Sequence, residues 1–236
     1  MTQTIQRGLF LTGTDTGVGK TRIGIELVKL LRERNQCVRP RKPVESGCRN
    51  WSGRLMPDDA QALQAAAGHF EALNTICRYP FAPALSPERA AALAGRSLTL
   101  AELKTACLHG VENDDFLLVE GAGGFYSPIA SGVLNADLAA ELALPVLLVA
   151  MDKLGVINHT LLTVEAIKRR GLQLAGVVLN HFMAYTDPFM DNPTELSRWL
   201  GCPVTVTFRY GSDADSARQG LFPALSTLAD QIVSGL

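Results

Sequence analysis

The glycine-rich segment GTDTGVGKT, Gly13 to Thr21, constrains the fold of this chain more than any other feature. It follows the apolar run LFL and precedes a segment with helical periodicity, so it predicts a turn between a strand and a helix. Backbone N–H groups in such a turn, with the positive end of the helix, form a cradle for phosphate. Lys20 can reach the outer phosphates, and the Thr21 hydroxyl can ligate Mg²⁺. The segment therefore predicts a nucleoside triphosphate site.

This segment is a variant of the P-loop pattern. The strict pattern has a glycine five residues before Gly19, where this chain has Thr14, and the glycine lies one residue earlier, at Gly13. The alternative is a glycine-rich turn that binds nothing. The Gly-Lys-Thr triplet directly after a strand and turn favours the phosphate site.

Short apolar runs alternate with segments of helical periodicity along the chain. Several runs, such as FLLV, PVLLVA and AGVVLN, are almost wholly apolar, as is typical of central parallel strands covered by helices on both faces. The alternation predicts an α/β fold with a doubly wound, mostly parallel sheet flanked by helices, and the glycine-rich segment makes it P-loop NTPase-like. No repeat or linker divides the 236 residues, so we expect a single domain, 1–236.

The predicted elements follow this alternation. The predicted strands are Leu9 to Thr12, Cys37 to Val44, Phe116 to Glu120, Val146 to Ala150, Ala175 to Asn180 and Val204 to Phe208. The predicted helices are Lys20 to Arg34, Asp58 to Ala67, Leu100 to Glu112, Ala136 to Leu142, Asn158 to Arg170, Pro193 to Leu200 and Pro223 to Val233. Gly47 to Pro57 is irregular, and Tyr79 to Glu88, with three prolines, is predicted to be a stiff loop.

Net charge, apolar runs and cysteine spacing indicate which classes of partner this chain has. The net charge is -1, so no basic field indicates nucleic acid or an anionic membrane. The N-terminus lacks the apolar core of a signal peptide, and no apolar run approaches the roughly 20 residues of a membrane span. The five cysteines have no zinc spacing, and each is expected to be a small buried residue in a reducing compartment. We expect a cytoplasmic protein with no membrane or nucleic-acid partner.

Polar residues stand where the predicted strands end, and ligands of open α/β sheets bind beyond those ends. Lys42 ends the second predicted strand and Ser46 lies just beyond it, although a lysine before a proline is often only solvated. Asp58 and Asp59 open a predicted helix, where either could cap the helix and Asp59 could instead bind a metal.

Glu120 ends an otherwise apolar strand. A carboxylate there is costly unless it is paired or bound to a metal. Thr21, Asp59 and Glu120 would together offer the hard oxygen ligands that Mg²⁺ prefers. Gly121 and Gly123 after the strand would let backbone approach a ligand closely.

Two further segments lie at strand ends. In MDKLGVINHT, Gly155 to Asn158 would present N–H groups to a carboxylate at a helix N-terminus, unless this is an ordinary loop with Asn158 as the cap. Asn180 could read the edge of a base. His181 beside it is better explained as a surface loop residue than as a catalytic base.

In this order and spacing, the segments GTDTGVGKT, RKPVESG, DDAQAL, LLVEGAGG, DKLGVINH and AGVVLN resemble dethiobiotin synthetases, from about Leu9 to Asn180. The resemblance implies a homodimeric P-loop enzyme of biotin synthesis with active sites at the subunit interface. Such an enzyme uses ATP, Mg²⁺ and CO₂ to close a ureido ring on 7,8-diaminononanoate, through a carbamate and a carbamic-phosphoric anhydride.

The resemblance also implies roles for individual residues. The nucleotide-binding residues would be Gly17, Val18, Gly19, Lys20, Thr21, Arg22, Asp59, Glu120, Gly121, Ala122, Gly123, Asn180 and His181. Lys42 and Lys20 would be catalytic, and Thr21, Asp59 and Glu120 would hold the metal. Substrate would be bound by Ser46 and by Gly155, Val156, Ile157 and Asn158, the last four reaching the carboxylate from the partner subunit.

The chain departs from the family pattern in two places. Glu88 stands where the family often has His, and the sixth strand lacks the usual Gly-x-Ile/Leu-Pro ending that contacts the base. The segment there is VTVTFRYGSD, with Arg209 near the expected proline, so the sequence leaves the preferred nucleotide open.

Two other functions are compatible with the glycine-rich segment. A related amidoligase would usually carry an additional glutaminase domain, for which 236 residues leave no room. A partition-type ATPase switch would usually carry a second lysine early in the loop, where this chain has Thr14 and Asp15.

Overall fold

The structure is a computed structural model that describes residues 7–181, 189–201, 204–207 and 225–234. The strands are β1 (Gly8–Gly13), β2 (Val38–Arg41), β3 (Val44–Ser46), β4 (Arg49–Trp51), β5 (Arg54–Met56), β6 (Tyr79–Phe81), β7 (Phe116–Glu120), β8 (Pro128–Ala130), β9 (Val133–Leu134), β10 (Val146–Met151), β11 (Leu174–Asn180) and β12 (Val204–Thr207). The helices are α1 (Lys20–Glu33), α2 (Asp58–Ala67), α3 (Leu73–Ile76), α4 (Pro87–Leu93), α5 (Leu100–Leu108), α6 (Asn135–Leu142), α7 (Val156–Arg169) and α8 (Asn192–Leu200). Residues 225–233 are also helical.

A six-stranded sheet with the order β12-β11-β10-β1-β7-β2 forms the centre of the molecule. Every strand pair in it is parallel, and β1 lies between β10 and β7. The carboxyl ends of parallel strands meet at one edge, so the loops after these strands converge there. The predicted mostly parallel sheet is confirmed.

The sheet is covered on both faces. Leu9 and Leu11 of β1 pack with α1, α2 and the helical segment 225–233, whereas Phe10 packs with α5, α6 and α7 on the opposite face. This alternation follows from the two-residue period of a strand. Because both faces are buried, the central strands are apolar throughout, and the predicted doubly wound fold is confirmed.

The second predicted strand, Cys37 to Val44, is in fact two strands. β2 ends at Arg41, and β3 begins at Val44 and pairs with β6 outside the main sheet. Pro43 separates β2 from β3, because proline has no N–H to donate to a neighbouring strand and so interrupts the strand. The Lys42 N–H turns away from the sheet and donates to the Ile76 carbonyl at 2.9 Å.

The prediction that Tyr79 to Glu88 is a loop was wrong. Tyr79–Phe81 forms β6 and Pro87 begins α4. Pro80 is tolerated because β6 is an edge strand in a two-stranded sheet. Pro87 occupies the first turn of α4, where its missing N–H costs nothing. The irregular segment from Gly47 to Pro57 contains the β4–β5 hairpin.

Some helix boundaries also differ from prediction. α7 begins at Val156, with Gly155 as N-cap at a φ of 90°, so Asn158 lies inside the helix and is not its cap. α5 ends at Leu108, four residues before the predicted end. The predicted cysteine burial holds for Cys48, Cys77 and Cys107, but Cys37 is exposed beside the edge strand β2.

A few predictions lie partly outside the described residues. These are the end of the sixth predicted strand at Phe208, the base-contacting loop around Arg209, the start of the last helix and Cys202. Within the described ranges, none of the helices is long and apolar enough to cross a membrane.

A buried ion pair fixes the carboxyl end of β2. Arg41 is fully buried, and its two terminal nitrogens each donate to one carboxylate oxygen of Glu71 at 2.9 Å. The same guanidinium donates to the His109 carbonyl at 2.7 Å. Arg41 thus ties the residue before Lys42 to the segments that follow α2 and α5.

We predict that Arg41→Ala lowers the free energy of unfolding by about 3 kcal/mol, because it removes both short hydrogen bonds to the largely buried Glu71 carboxylate and leaves it only the longer contact with Arg39, at 3.6 Å. Urea unfolding of the purified protein measures this loss. Arg49→Ala is the matched control: Arg49 makes the same two-bond contact with Asp58, but its side chain is 73% exposed. That loss should stay below about 1 kcal/mol, and equal losses would contradict the prediction.

Candidate nucleotide and substrate site

A cavity of about 270 Å³ opens at the carboxyl edge of the sheet. Its walls come from the glycine-rich turn, the ends of β2 and β7, β3 and the start of α2. The lining residues are Thr16, Gly17, Gly19, Lys20, Thr21, Lys42, Glu45, Ser46, Asp59, Glu120, Ala122 and Gly123. Ten of these twelve were predicted as site residues; Thr16 and Glu45 were not.

The glycine-rich turn requires its glycines for steric reasons. Gly19 has a φ of 94°, in the left-handed region that disfavours side chains. A Cβ on Gly13 would lie 2.7 Å from the Val18 side chain, which explains why the glycine stands at this position. Among the described residues, no side chain caps α1 and no acidic residue stands in its first turn. The positive end of α1 is therefore available to an anion in the cavity.

Lys20 lies at the base of this turn and is buried. Its Nζ donates to the Asp15 carbonyl at 2.9 Å. Burial and the neighbouring Lys42 ammonium lower the pKa of Lys20 to about 8, although Glu120 and Asp59 oppose the shift. The charge of Lys20 is therefore sensitive to pH in the range where most enzymes are assayed.

Lys42 joins two carboxylates at the centre of the site. Its Nζ lies 2.5 Å from Glu120 Oε1 and 2.8 Å from Asp59 Oδ2. Burial would lower the pKa of Lys42, but the charges of Glu120 and Asp59 outweigh burial and raise it above the ordinary range. The pKa of Asp59 is lowered: burial opposes the shift, and Lys42 outweighs it. Lys42 therefore remains a cation.

Glu120 is fully buried and receives two hydrogen bonds on the same oxygen. The Thr21 hydroxyl donates to Oε1 at 2.8 Å, beside the Lys42 ammonium. Within the described part of the chain, the other oxygen, Oε2, has no hydrogen-bond partner. A buried carboxylate oxygen with no partner is unusual. Oε2 lies on the α1 side of the carboxylate, where a Cβ on Gly24 would come within 3.5 Å of it.

These oxygens fit Mg²⁺. Thr21, Asp59 and Glu120 supply one hydroxyl and two carboxylates at one wall of the cavity. The described residues contain no group of three or more His, Cys, Asp or Glu side chains able to hold a metal. Mg²⁺ commonly takes one or two carboxylates and completes its shell with phosphates and water, so the residues present suit it.

Glu45 holds the start of α2. Its carboxylate accepts the N–H of Asp59 at 3.1 Å and the N–H of Ala60 at 3.0 Å. The N-cap residue is Pro57, so of the two roles considered for Asp58 and Asp59, the capping of this helix is ruled out. Burial raises the pKa of Glu45 to about 7, against the opposing charge of Lys42. Its partners lie 14 and 15 residues away, too far for a local sequence signal.

The loop after β7 is held by Asn135. Its side-chain nitrogen donates to the carbonyls of Ala122 and Gly124 at 2.6 and 2.8 Å, and its oxygen accepts the Ala122 N–H at 3.2 Å. A Cβ on Gly121 would lie 2.8 Å from that oxygen. No sequence signal marks Asn135, because it stands at the start of α6 outside any motif.

Comparison with known proteins identifies the family. Residues 7–213 match a family model described as an AAA domain. The ATP-dependent dethiobiotin synthetase BioD of Anaeromyxobacter dehalogenans (strain 2CP-C) is 45% identical over 193 residues, 81% of this chain and 85% of the relative. The chain belongs to the ATP-dependent dethiobiotin synthetase family. A second synthetase of that name, from Vesicomyosocius okutanii, is 40% identical over 200 residues, 85% of this chain and 89% of the relative.

Solved structures agree on the fold of this synthetase-family chain. A ParA family ATPase from Chlorobium tepidum superposes with a TM-score of 0.54 at 14% identity, covering 98% of both chains. The septum site-determining protein MinD from Pyrococcus horikoshii superposes with a TM-score of 0.57 at 16% identity, covering 97% of both chains. At these identities the likeness shows a P-loop NTPase fold and not a shared activity.

Four further residues of the synthetase-like motifs make defined contacts: Val18, Asn180, Arg22 and Ser46. Val18 is buried, and its carbonyl accepts a hydrogen bond from the Asn180 side chain at 3.0 Å. Asn180 therefore contacts the glycine-rich turn directly. Arg22 is on the outer side of α1, with its Nε 3.8 Å from Glu26. Ser46 lines the cavity while its hydroxyl donates to the Leu85 carbonyl at 2.6 Å.

His181 is buried, so the prediction that it is a surface loop residue was wrong. Its Nδ1 lies 2.9 Å from Asp152 Oδ2, and the Asn192 side chain donates to Asp152 Oδ1 at 2.7 Å. Asp152, which no sequence motif marks, follows β10, the neighbour of β11. The parallel pairing of these strands brings the two residues together across 29 positions.

The segment from Gly155 to Asn158 is apart from the cavity in its own chain. In the part of the chain that the structure describes, none of its residues lines that cavity. The prediction that Val156 presents a free N–H was wrong, because this N–H donates to the Lys153 carbonyl at 3.0 Å. The adjacent Leu154 is 88% exposed, so the start of α7 lies on the surface of the chain.

We predict that affinity for ADP without Mg²⁺ falls as the pH rises above about 8. The pKa of Lys20 is lowered to about 8, so its positive charge is present below that pH and is lost above it. The affinity should be nearly constant from pH 6.5 to 7.5 and fall by up to roughly tenfold per pH unit above 8. Calorimetric titration across this range measures it.

Lys20→Arg is the control for this profile, because arginine remains charged at every pH tested. Its affinity for ADP, whatever the absolute value, should not fall between pH 8 and 9.5. A wild-type affinity that stays flat over the same range would contradict the assignment of the fall to Lys20.

Proposed function

We propose that this protein converts 7,8-diaminononanoate, CO₂ and ATP into dethiobiotin, ADP and phosphate, in the cytoplasm and as a step of biotin synthesis. The observation that carries the proposal is the meeting of two lysines and the Thr21, Asp59 and Glu120 oxygens in one cavity. Membership of the synthetase family supports this reaction over the partition-type ATPase switch and the amidoligase.

The nucleotide phosphates would lie in the glycine-rich turn. Backbone from Gly17 to Gly19 and the N-terminus of α1 would surround them, with Lys20 on the outer phosphates and Ala122 and Gly123 on the opposite wall. The base would lie toward Asn180, which contacts the turn at Val18. Arg22 and His181 stay predictions as nucleotide-binding residues, and the preferred base stays open.

Thr21, Asp59 and Glu120 would hold Mg²⁺. When bound, the ion would offset the negative charge of the phosphoryl group that is transferred. Lys42 contributes the second charge, because the neighbouring carboxylates keep its pKa raised and it therefore acts as a cation instead of a base. Ser46 lies beside these charges and would contact the diamine.

The reaction needs alignment and charge instead of a protein nucleophile. One amine of the diamine adds to CO₂ and loses a proton to solvent, which gives a carbamate. A carbamate oxygen attacks the γ-phosphorus, ADP leaves, and a carbamic-phosphoric anhydride forms. The second amine then attacks the carbonyl carbon and loses a proton, phosphate leaves, and the ureido ring closes. Lys20 and Lys42 would orient the two anions and stabilise charge on the transferring group.

The substrate carboxylate would be bound by a second copy of this chain. Gly155 and Asn158 are exposed at the start of α7, and no residue from Gly155 to Asn158 lines the cavity of its own chain. The side chain of Leu154, the residue before this segment, is exposed. The exposed Leu162 and Tyr126 line a groove of about 700 Å³ between α7 and the loop after β7. We infer a homodimer that places the start of α7 over the cavity of the partner.

We predict that Lys42→Ala abolishes turnover while ADP affinity stays within a few-fold of wild type. The variant removes the charge beside the reacting carbamate but leaves the glycine-rich turn intact. The assay is bicarbonate-dependent phosphate release from ATP with and without the diamine, with the product followed by mass spectrometry.

Lys104→Ala, which removes a surface lysine paired with Glu141, should turn over normally in the same assay. Normal turnover of Lys42→Ala would contradict its catalytic role. Phosphate release that does not depend on the diamine would instead support a partition-type switch, and release with no carbonyl added to the diamine would contradict the proposed reaction.

We predict that Asn158→Asp raises the KM for the diamine by roughly tenfold and leaves the KM for ATP unchanged. The new carboxylate would repel the substrate carboxylate by more than 1 kcal/mol at close range. An acidic residue in the first turn favours the helix, so the fold should be kept. Asn158→Ala, with no charge, is the control.

A mixing experiment tests whether this segment acts across the dimer. Mixed dimers of Lys42→Ala and Asn158→Asp would contain one wholly wild-type site, so roughly a quarter of all sites should recover at low diamine concentration. No recovery in mixed dimers would contradict the shared site.

A further inference from the structure

α2 begins in an unusual way, since the residues described at its start do not cap it. Pro57 is the N-cap residue and has no side-chain oxygen. Asp58 is turned outward to Arg49, whose nitrogens lie 2.8 and 2.9 Å from its carboxylate. The N-terminal N–H groups of a helix need partners, so another part of the chain must supply them.

The partner is Glu45, on β3. Each of its carboxylate oxygens accepts one N–H from the first turn, one from Asp59 and one from Ala60. The Glu45 side chain is buried, at 6% exposure for the residue. Hydrogen bonds from N–H groups to a carboxylate are stronger than neutral ones, and the helix dipole adds to them.

Asp59 is thus held at two points by one short segment. Glu45 holds its backbone nitrogen, and Lys42, three residues earlier, holds its carboxylate at 2.8 Å. β3 pairs with β6 at Glu45, opposite Pro80, which fixes the position of the Glu45 backbone. The Glu45 carboxylate lines the cavity but both its oxygens are occupied by N–H groups.

We propose that Glu45 is a positioning residue for the magnesium site: it fixes the backbone of Asp59 so that the Asp59 carboxylate stands opposite Glu120. This inference rests on the proposed role of Asp59 as a metal ligand. Glu45 acts through Asp59 and does not itself bind the ion or the substrate.

The test separates metal binding from nucleotide binding. ADP affinity is measured by calorimetry with and without Mg²⁺ for the wild type, Glu45→Ala and Glu45→Gln, and the ratio of the two affinities is compared. Partners of metal ligands typically change metal affinity by 10- to 100-fold when removed. For Glu45→Ala we expect the Mg²⁺-dependent gain to fall about tenfold or more, while the affinity without Mg²⁺ stays within about twofold.

Glu45→Gln keeps the test possible if the alanine variant fails to fold, because its Mg²⁺-dependent gain in ADP affinity can be measured instead. In the wild type each of the two N–H groups donates to a different oxygen, and in Glu45→Gln an NH₂ group, which cannot accept, replaces one of them. The Mg²⁺-dependent gain should therefore lie between those of the wild type and Glu45→Ala. Glu102→Ala is the matched control: Glu102 also accepts an N–H at a helix start, from Thr99 at 2.9 Å, but stands on α5 away from the cavity. It should keep the full gain.

Asp59→Ala distinguishes failure of this inference from failure of the proposed function. Loss of the Mg²⁺ gain in Asp59→Ala but not in either Glu45 variant would overturn the positioning role and leave the metal site standing. An unchanged gain in Asp59→Ala would overturn both. A parallel loss of affinity with and without Mg²⁺ in the Glu45 variants would show a general structural role and also overturn the inference.

Discussion

The site depends on one buried contact, the ion pair between Lys42 and Glu120. Glu120 ends a wholly buried strand, where an isolated carboxylate would be too costly to keep ionised. The Lys42 ammonium at 2.5 Å and the Thr21 hydroxyl at 2.8 Å offset the cost of burying the Glu120 charge. These three residues come from the end of β2, the start of α1 and the end of β7, so the contact also fixes where those elements meet.

The same contact shifts the pKa values of the two cavity lysines in opposite directions. Lys42 touches both carboxylates, and its pKa is raised. Lys20 is buried beside the Lys42 cation, and its Nζ donates to the Asp15 carbonyl. Burial and the Lys42 charge lower the pKa of Lys20 to about 8. Lys42 therefore stays charged, whereas the charge of Lys20 is lost as the pH rises above about 8.

Around this centre, polar side chains hold backbone segments instead of ligands. Glu45 holds the start of α2, Asn135 holds the loop after β7, and Arg41 holds the end of β2. Each connects parts of the chain that are far apart in sequence, and each is buried. The hydrogen bonds of Glu45, Asn135 and Arg41 thus position the cavity walls, and they are separate from the contacts among Lys42, Asp59 and Glu120.

The sequence by itself determined the glycine-rich turn, the apolar central strands and α2 from Asp58 to Ala67, because local sterics, hydrophobic period and helix periodicity specify them. It also indicated Lys42, Asp59 and Glu120, since carboxyl ends of parallel strands share one edge. Only the tertiary structure decided that Tyr79–Phe81 is a strand, that His181 is buried against Asp152, and which side chain caps α2. These features depend on partners 14 to 35 residues away, which no local pattern records.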